Sequence, residues 1–92
     1  MRGREPFQVE IAFDEYQSRW IRERRSFHPT EEREELLDGG LLLRMRVTAL
    51  DSVKRFVMQY GAHARVLAPE ELRKAVSEEI EQMRAIYETG QP

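Results

Sequence analysis

Apolar side chains recur at every second position in Pro6-Phe-Gln-Val-Glu-Ile-Ala-Phe13, with Phe7, Val9, Ile11 and Phe13 on one face and Gln8, Glu10 and Ala12 on the other. This spacing predicts a half-buried strand. Asp14 offers a carboxylate N-cap to the run Glu15 to Arg25, which carries Tyr16 and Trp20 four residues apart and so on one helical face. A helix is predicted there, ending before His28-Pro29, with both rings assigned to the core. The charged stretch from Thr30 to Leu37 leads into Asp38-Gly39-Gly40, a hairpin signal, because glycine accepts the positive φ that tight turns require. Beyond the turn, Leu43, Met45 and Val47 face one way and Leu42, Arg44, Arg46 and Thr48 the other. The charge of the preceding strand marks it as a sheet edge protected against pairing with other chains.

Further on, Leu50, Val53, Phe56, Val57 and Tyr60 share one apolar arc at the helical period, with Asp51 as the expected cap and Gly61 as the stop. A short strand around Ala64 to Leu67 ends at Pro69, whose ring suits the first turn of a helix. The final helix is predicted from about Glu70 to Thr89, with Gly90 just beyond. Its stripe of Leu72, Ala75, Val76, Ile80, Met83, Ile86 and Tyr87 must be buried either against the rest of the domain, the leading expectation, or against another chain. Strand, helix, strand, strand, helix, strand, helix is the order of a split βαβ pair with one extra helix. The predicted fold is therefore α+β, ferredoxin-like βαββαβ: a four-stranded antiparallel sheet with two helices on one face, plus a C-terminal helix. Residues 1–5 read as a linker or cloning remnant, and 6–92 as a single domain.

Composition narrows the function. The 92 residues carry 15 Lys and Arg against 17 Asp and Glu, a formal charge of −2, which equips the chain poorly for holding a polyanion through bulk electrostatics. Cysteine is absent, so disulfides and thiolate metal sites are excluded and a reducing cytoplasm fits. No apolar run reaches the roughly 20 residues of a membrane helix, and Met1-Arg-Gly-Arg-Glu-Pro does not resemble a signal peptide. The chain reads as a cytoplasmic module.

Chemistry is sparse. Ser18, Ser26, Ser52 and Ser77, with His28 and His63, form no nucleophile motif, and the two histidines lack the spacing that places a metal-binding pair on one helical face. No cofactor or metal is implied. The carboxylates Glu31, Glu32, Glu34 and Glu35 read as a solvated strand face rather than a general-acid pair. On the sheet face away from the helices, the third strand shows no aromatic side chain for stacking RNA bases. Arg44 and Arg46 project there together, with Arg65 able to extend the patch, and two roles compete for them: pairing across strands with Glu10 and the Glu31 to Glu35 segment, or binding an anionic ligand.

The residues also carry a resemblance. The Val9 to Phe13 strand, the helix ending in Trp20-Ile-Arg-Glu-Arg24, the His28-Pro29 turn, the Leu36-Leu-Asp-Gly-Gly-Leu41 hairpin and above all Gly61-Ala-His-Ala-Arg-Val-Leu-Ala-Pro69 followed by Glu71-Leu72 are together similar to the C-terminal extension, or WCX domain, of WYL-domain transcription regulators. The likeness covers nearly the whole chain, and the spacing Phe56, Tyr60-Gly61, Val66-Leu67, Pro69, Leu72 is its most specific part. It implies a ferredoxin-like fold following a winged helix-turn-helix and a WYL barrel. Neither the Trp-Tyr-Leu tripeptide nor a helix-turn-helix segment occurs here, so a fragment of a longer bacterial regulator is expected.

The leading expectation is a non-enzymatic module for regulation, dimerisation and effector sensing in a DNA-binding regulator. Its partners would be a second copy, the WYL and helix-turn-helix domains of the parent chain, and a small-molecule or nucleotide effector, with DNA reached only through the parent's other domain and no membrane involved. The alternative is a free-standing ferredoxin-like sensor binding an anionic ligand through Arg44, Arg46 or Arg65. A hydrolase of the acylphosphatase type on the same fold needs an asparagine to orient water, and the chain contains none.

Overall fold

The computed structural model describes residues 5–89, so Gly90, the expected stop of the last helix, and most of the expected linker lie outside the described residues. The elements run β1 (Phe7–Phe13), α1 (Glu15–Glu23), β2 (Glu32–Glu35), β3 (Leu41–Val47), α2 (Asp51–Met58), a 3-10 turn at Gly61–His63, β4 (Ala64–Ala68) and α3 (Glu70–Thr89). The sheet has the order β2-β3-β1-β4 with every neighbouring pair antiparallel, the ferredoxin-like arrangement the element order predicted.

Alternation decides which face is covered. Val9, Ile11 and Phe13 of β1 and Leu41, Leu43, Met45 and Val47 of β3 are buried, and they join Ile21 of α1, Val53, Phe56 and Val57 of α2, Val66 of β4 and Leu72 of α3 in one core. An aromatic knot closes one end: Phe13 meets Phe56 and Tyr60 edge-on at centroid distances of 6.4 and 5.4 Å, and Phe27 stacks on Phe56 at 4.3 Å. The β2–β3 turn follows its glycines. Gly39 adopts φ +90°, and a Cβ on Gly40 would lie 2.5 Å from the Phe13 carbonyl oxygen, so only glycine lets this hairpin pass against β1.

Several expectations are corrected. Tyr16 and Trp20 are 56% and 52% exposed, and α1 instead buries Ser18 and Ile21. Ser18 is small enough to let the helix approach the sheet, and its Oγ donates to the Asp14 carbonyl at 2.6 Å, which turns the two rings outward. Asp14 caps α1 as predicted, accepting from the Gln17 N–H at 2.9 Å. The helix stops at Glu23, short of the expected Arg25. Asp51 is not the cap of α2: Leu50 holds that position without a side-chain bond, and Asp51 lies in the first turn, where a carboxylate still suits the helix dipole. Pro69 immediately precedes α3, its carbonyl accepting from the Leu72 and Arg73 N–H groups.

Two further corrections concern burial. Glu31 does not belong to a solvated face, since its side chain is 2% exposed and accepts from Arg33 Nε and from the Phe27 N–H, both at 2.6 Å. Arg33 points toward the helices and donates to the Ile21, Arg22 and Arg24 carbonyls at 2.8 to 3.3 Å, closing the C-terminus of α1. Along α3 only Leu72 is buried, while Ile80, Met83, Ile86 and Tyr87 stand 42–80% exposed, so the expected burial of the whole stripe fails in its distal half. The sheet's covered face is already occupied by α1 and α2, which leaves α3 to pack with its first turns against α2 and β4.

Candidate functional surfaces

The register arranges the open sheet face in rows. Glu34, Leu42, Ala12 and Arg65 form one row, Glu32, Arg44 and Glu10 the next, and Arg46 with Gln8 the third. Arg44 stands between carboxylates: it is hydrogen-bonded to Glu34 and lies 3.7 Å from Glu10, and the Glu34 bond holds its guanidinium even more firmly protonated than usual. Its charge is spent on cross-strand pairing. The Arg46 guanidinium, by contrast, has no carboxylate partner among the described residues, while its backbone N–H donates to Thr30 Oγ1 at 2.9 Å. Arg65, likewise unpaired among the described residues, lies beyond β1 and opposite Ala12, in a hollow it shares with Arg73, Ser77 and Ile80. The three arginines share a face but do not converge on one point. The depression beside Arg44 and Arg46 measures about 180 Å³ and has Glu32 in its wall, so it presents one uncompensated cation rather than a two-pronged clamp.

The histidines are used locally. His28 Nδ1 lies 2.9 Å from Thr30 Oγ1, and His63 Nδ1 lies 2.6 Å from Asp14 Oδ2 with its ring against Tyr16. Among the described residues no group of three or more His, Cys, Asp or Glu side chains is arranged to hold a metal ion, and no helix is long and apolar enough to cross a membrane.

Two contacts, Asp14 with His63 and the Gln17 N–H, and Glu35 with Arg22 at 2.7 Å, make the fold sensitive to acid. The Gln17 N–H, and then His63, lower the Asp14 pKa, and the Arg22 hydrogen bonds lower that of Glu35. Both carboxyls release their protons more readily in the folded chain than in the unfolded one. Their contribution is therefore complete above the ordinary carboxylate range and is lost as pH falls through and below it. Urea midpoints are expected to drop between about pH 5 and pH 3, and less steeply in a variant combining Asp14→Asn with Glu35→Gln. An identical slope in the variant would remove these two groups from the account.

The largest apolar exposure is on α3. Ile80, Met83 and Tyr87 edge a groove of about 460 Å³ whose other wall is Met58, Ala62 and Ala64. The sequence showed this stripe, but periodicity says only that a face is apolar and not what covers it.

A four-stranded antiparallel sheet with two crossover helices on one face, an added C-terminal helix, and an uncovered apolar stripe define a ferredoxin-like α+β module. The WCX domain family model matches residues 5–84, and the chain belongs to that family, whose members are regulatory modules of WYL-domain regulators. Among curated proteins nothing matches the chain.

Proposed function

We propose that residues 6–92 form a single non-enzymatic domain that dimerises a bacterial, cytoplasmic DNA-binding regulator and helps to frame or relay its effector signal, with the WYL barrel and helix-turn-helix supplied by the parent chain. The observation that carries this reading is the distal half of α3, where Ile80, Met83, Ile86 and Tyr87 are exposed together. A contiguous apolar surface of this kind on a chain that is 35% charged marks an interaction site. Val76, Ile80, Met83 and Tyr87 follow one another at intervals of four, three and four residues, the spacing that seats side chains between those of another helix. A second copy of α3 supplies that helix.

Light scattering coupled to size exclusion, across a concentration series, is expected to give a dimer. Replacing Ile80 and Met83 together by glutamate should give a monomer with unchanged far-ultraviolet dichroism, because neither side chain is in the core. A wild-type monomer at every concentration would remove dimerisation and leave effector relay.

The second reading, a free-standing sensor of an anionic small molecule or nucleotide on the open sheet face, is favoured by the unpaired guanidinium groups of Arg46 and Arg65. Arg44 is held by Glu34 and the other two do not converge, which sets this reading behind the first.

A further inference from the structure

A second surface, apart from α3, lies where the C-terminal half of α1 meets the end of α2. Gln17, Trp20, Arg24, Arg25, Gln59 and Tyr60 line most of a shallow groove of about 550 Å³. Its wall is the chain's one tryptophan, half exposed, with Tyr16 exposed one helical turn away. Leaving half of an indole in water forgoes part of its burial energy, and neither ring contributes to the core.

The charge of this groove is unlike that of the surrounding surface. Six cations outside it sit on carboxylates, Arg22 on Glu35, Arg33 on Glu31, Arg44 on Glu34, Lys54 on Glu79, Arg73 on Glu70 and Arg84 on Glu81, while others, Arg46 and Arg65 among them, have no such partner among the described residues. Arg24 is held instead by aromatic groups, its guanidinium 5.1 Å from the Phe56 ring centroid and hydrogen-bonded to the Tyr60 hydroxyl. It is thus fixed in place with its charge uncompensated. Arg25 makes no ion pair among the described residues. In a chain with 17 acidic residues, none of the groove's lining side chains is a carboxylate.

We infer that this groove docks an acidic, extended peptide segment of a partner protein, with carboxylates on Arg24 and Arg25 and an apolar or proline side chain on Trp20. Trp, Tyr and Arg are the residues that dominate binding energy at protein interfaces, and an indole face accepts proline or aliphatic groups without needing a deep pocket. The amides of Gln17 and Gln59 supply donors and acceptors to a peptide backbone. A nucleic acid is disfavoured because its affinity grows with the number of phosphates neutralised, and two cations on a chain of net charge −2 neutralise few. The inference does not depend on the dimer, since α3 takes no part in the groove.

Trp20 is its own reporter. The full 92-residue chain is titrated, with its tryptophan emission followed, against the acetylated dodecapeptide (Glu-Pro-Leu)4, its (Lys-Pro-Leu)4 counterpart and a twelve-nucleotide oligothymidylate. A saturable shift in emission with the acidic peptide alone is expected, weakened at least tenfold by the double change Arg24→Glu, Arg25→Glu and at least threefold by Arg25→Glu alone. The single variant keeps the test decisive should loss of Arg24 from the Phe56 ring disturb the fold. No saturable change up to millimolar peptide, an equal response to the lysine peptide, indifference to Arg25→Glu, or tighter binding of the oligonucleotide would each overturn the inference. So would a concentration-dependent burial of Trp20 without peptide that tracks dimer formation, which would assign the groove to a second copy.

Discussion

Replacing Phe13 by alanine is expected to destabilise the domain by about 3–5 kcal/mol. Phe13 ends β1 at 2% exposure, and its ring is the point where β1, α2 and the Tyr60 turn meet. Truncation removes the transfer energy of a full ring and leaves a cavity walled by Phe56 and Tyr60. These are held by Phe27 and by Arg24, so the walls cannot collapse into the space. A chain of this length holds roughly 5–14 kcal/mol in total, so the loss takes a large share of it. Urea unfolding at neutral pH measures it, with the midpoint falling and the slope unchanged. A loss below about 1 kcal/mol would mean that the aromatic knot is not a packed core.

The second large effect is expected at Arg33. Changing it to methionine should cost about 3 kcal/mol, although the residue sits on a charged edge strand where substitutions are usually mild. The reason is what it leaves behind. The Glu31 carboxylate, 2% exposed, loses its cation, and the Ile21, Arg22 and Arg24 carbonyls at the end of α1 lose their shared donor. Arg33→Lys should recover only part of the loss, because a point ammonium cannot reach carboxylate and carbonyls at once as the planar fork does. Adding Glu31→Gln to Arg33→Met should restore stability relative to the single change, since the uncompensated buried charge is then gone. Urea midpoints of the wild type, Glu31→Gln, Arg33→Met and the double variant complete the cycle. If Arg33→Met behaved like a change at the exposed Glu32, the buried pair would have no energetic weight.

Arg33 also shows where reading the chain stops. The alternation Glu32, Arg33, Glu34 marks a strand and puts Arg33 on the opposite face from its neighbours, but edge-strand composition favoured a solvated reading for all of it. Only the docking of α1 over β2 brings the three carbonyls at the end of that helix and a buried carboxylate within reach of one guanidinium. The same holds for Tyr16 and Trp20. Their spacing puts them on one face, and nothing local says whether that face looks in or out. Ser18, hydrogen-bonded back to the Asp14 carbonyl, lets the other side of α1 approach the sheet, and that decides it. The groove proposed to dock an acidic peptide exists because the rings were turned outward, so it was legible only as two aromatic residues and two arginines.

Element order, strand faces and the hairpin follow from short-range rules, because alternation, helical period, caps and glycine turns each act over a few residues. The buried faces of β1 and β3, the Asp14 cap and the Gly39–Gly40 turn therefore stand where the pattern put them. The family was legible for a related reason: the Gly61 to Leu72 segment binds a turn, a strand and a helix start into one contiguous signature, and the family match runs from 5 to 84 around it. Burial of α3 was not legible, because it depends on how much partner surface remains. A helix of 20 residues is about 30 Å long, whereas a strand of 7 residues spans about 23 Å. With α1 and α2 already on the sheet, the distal turns of α3 outrun the surface available to cover them. Pairing of Arg44 with Glu34 was open from spacing alone and became definite through the β2–β3 register, which set a carboxylate beside it and left Arg46 without one, while Arg65 on β4 faces Ala12.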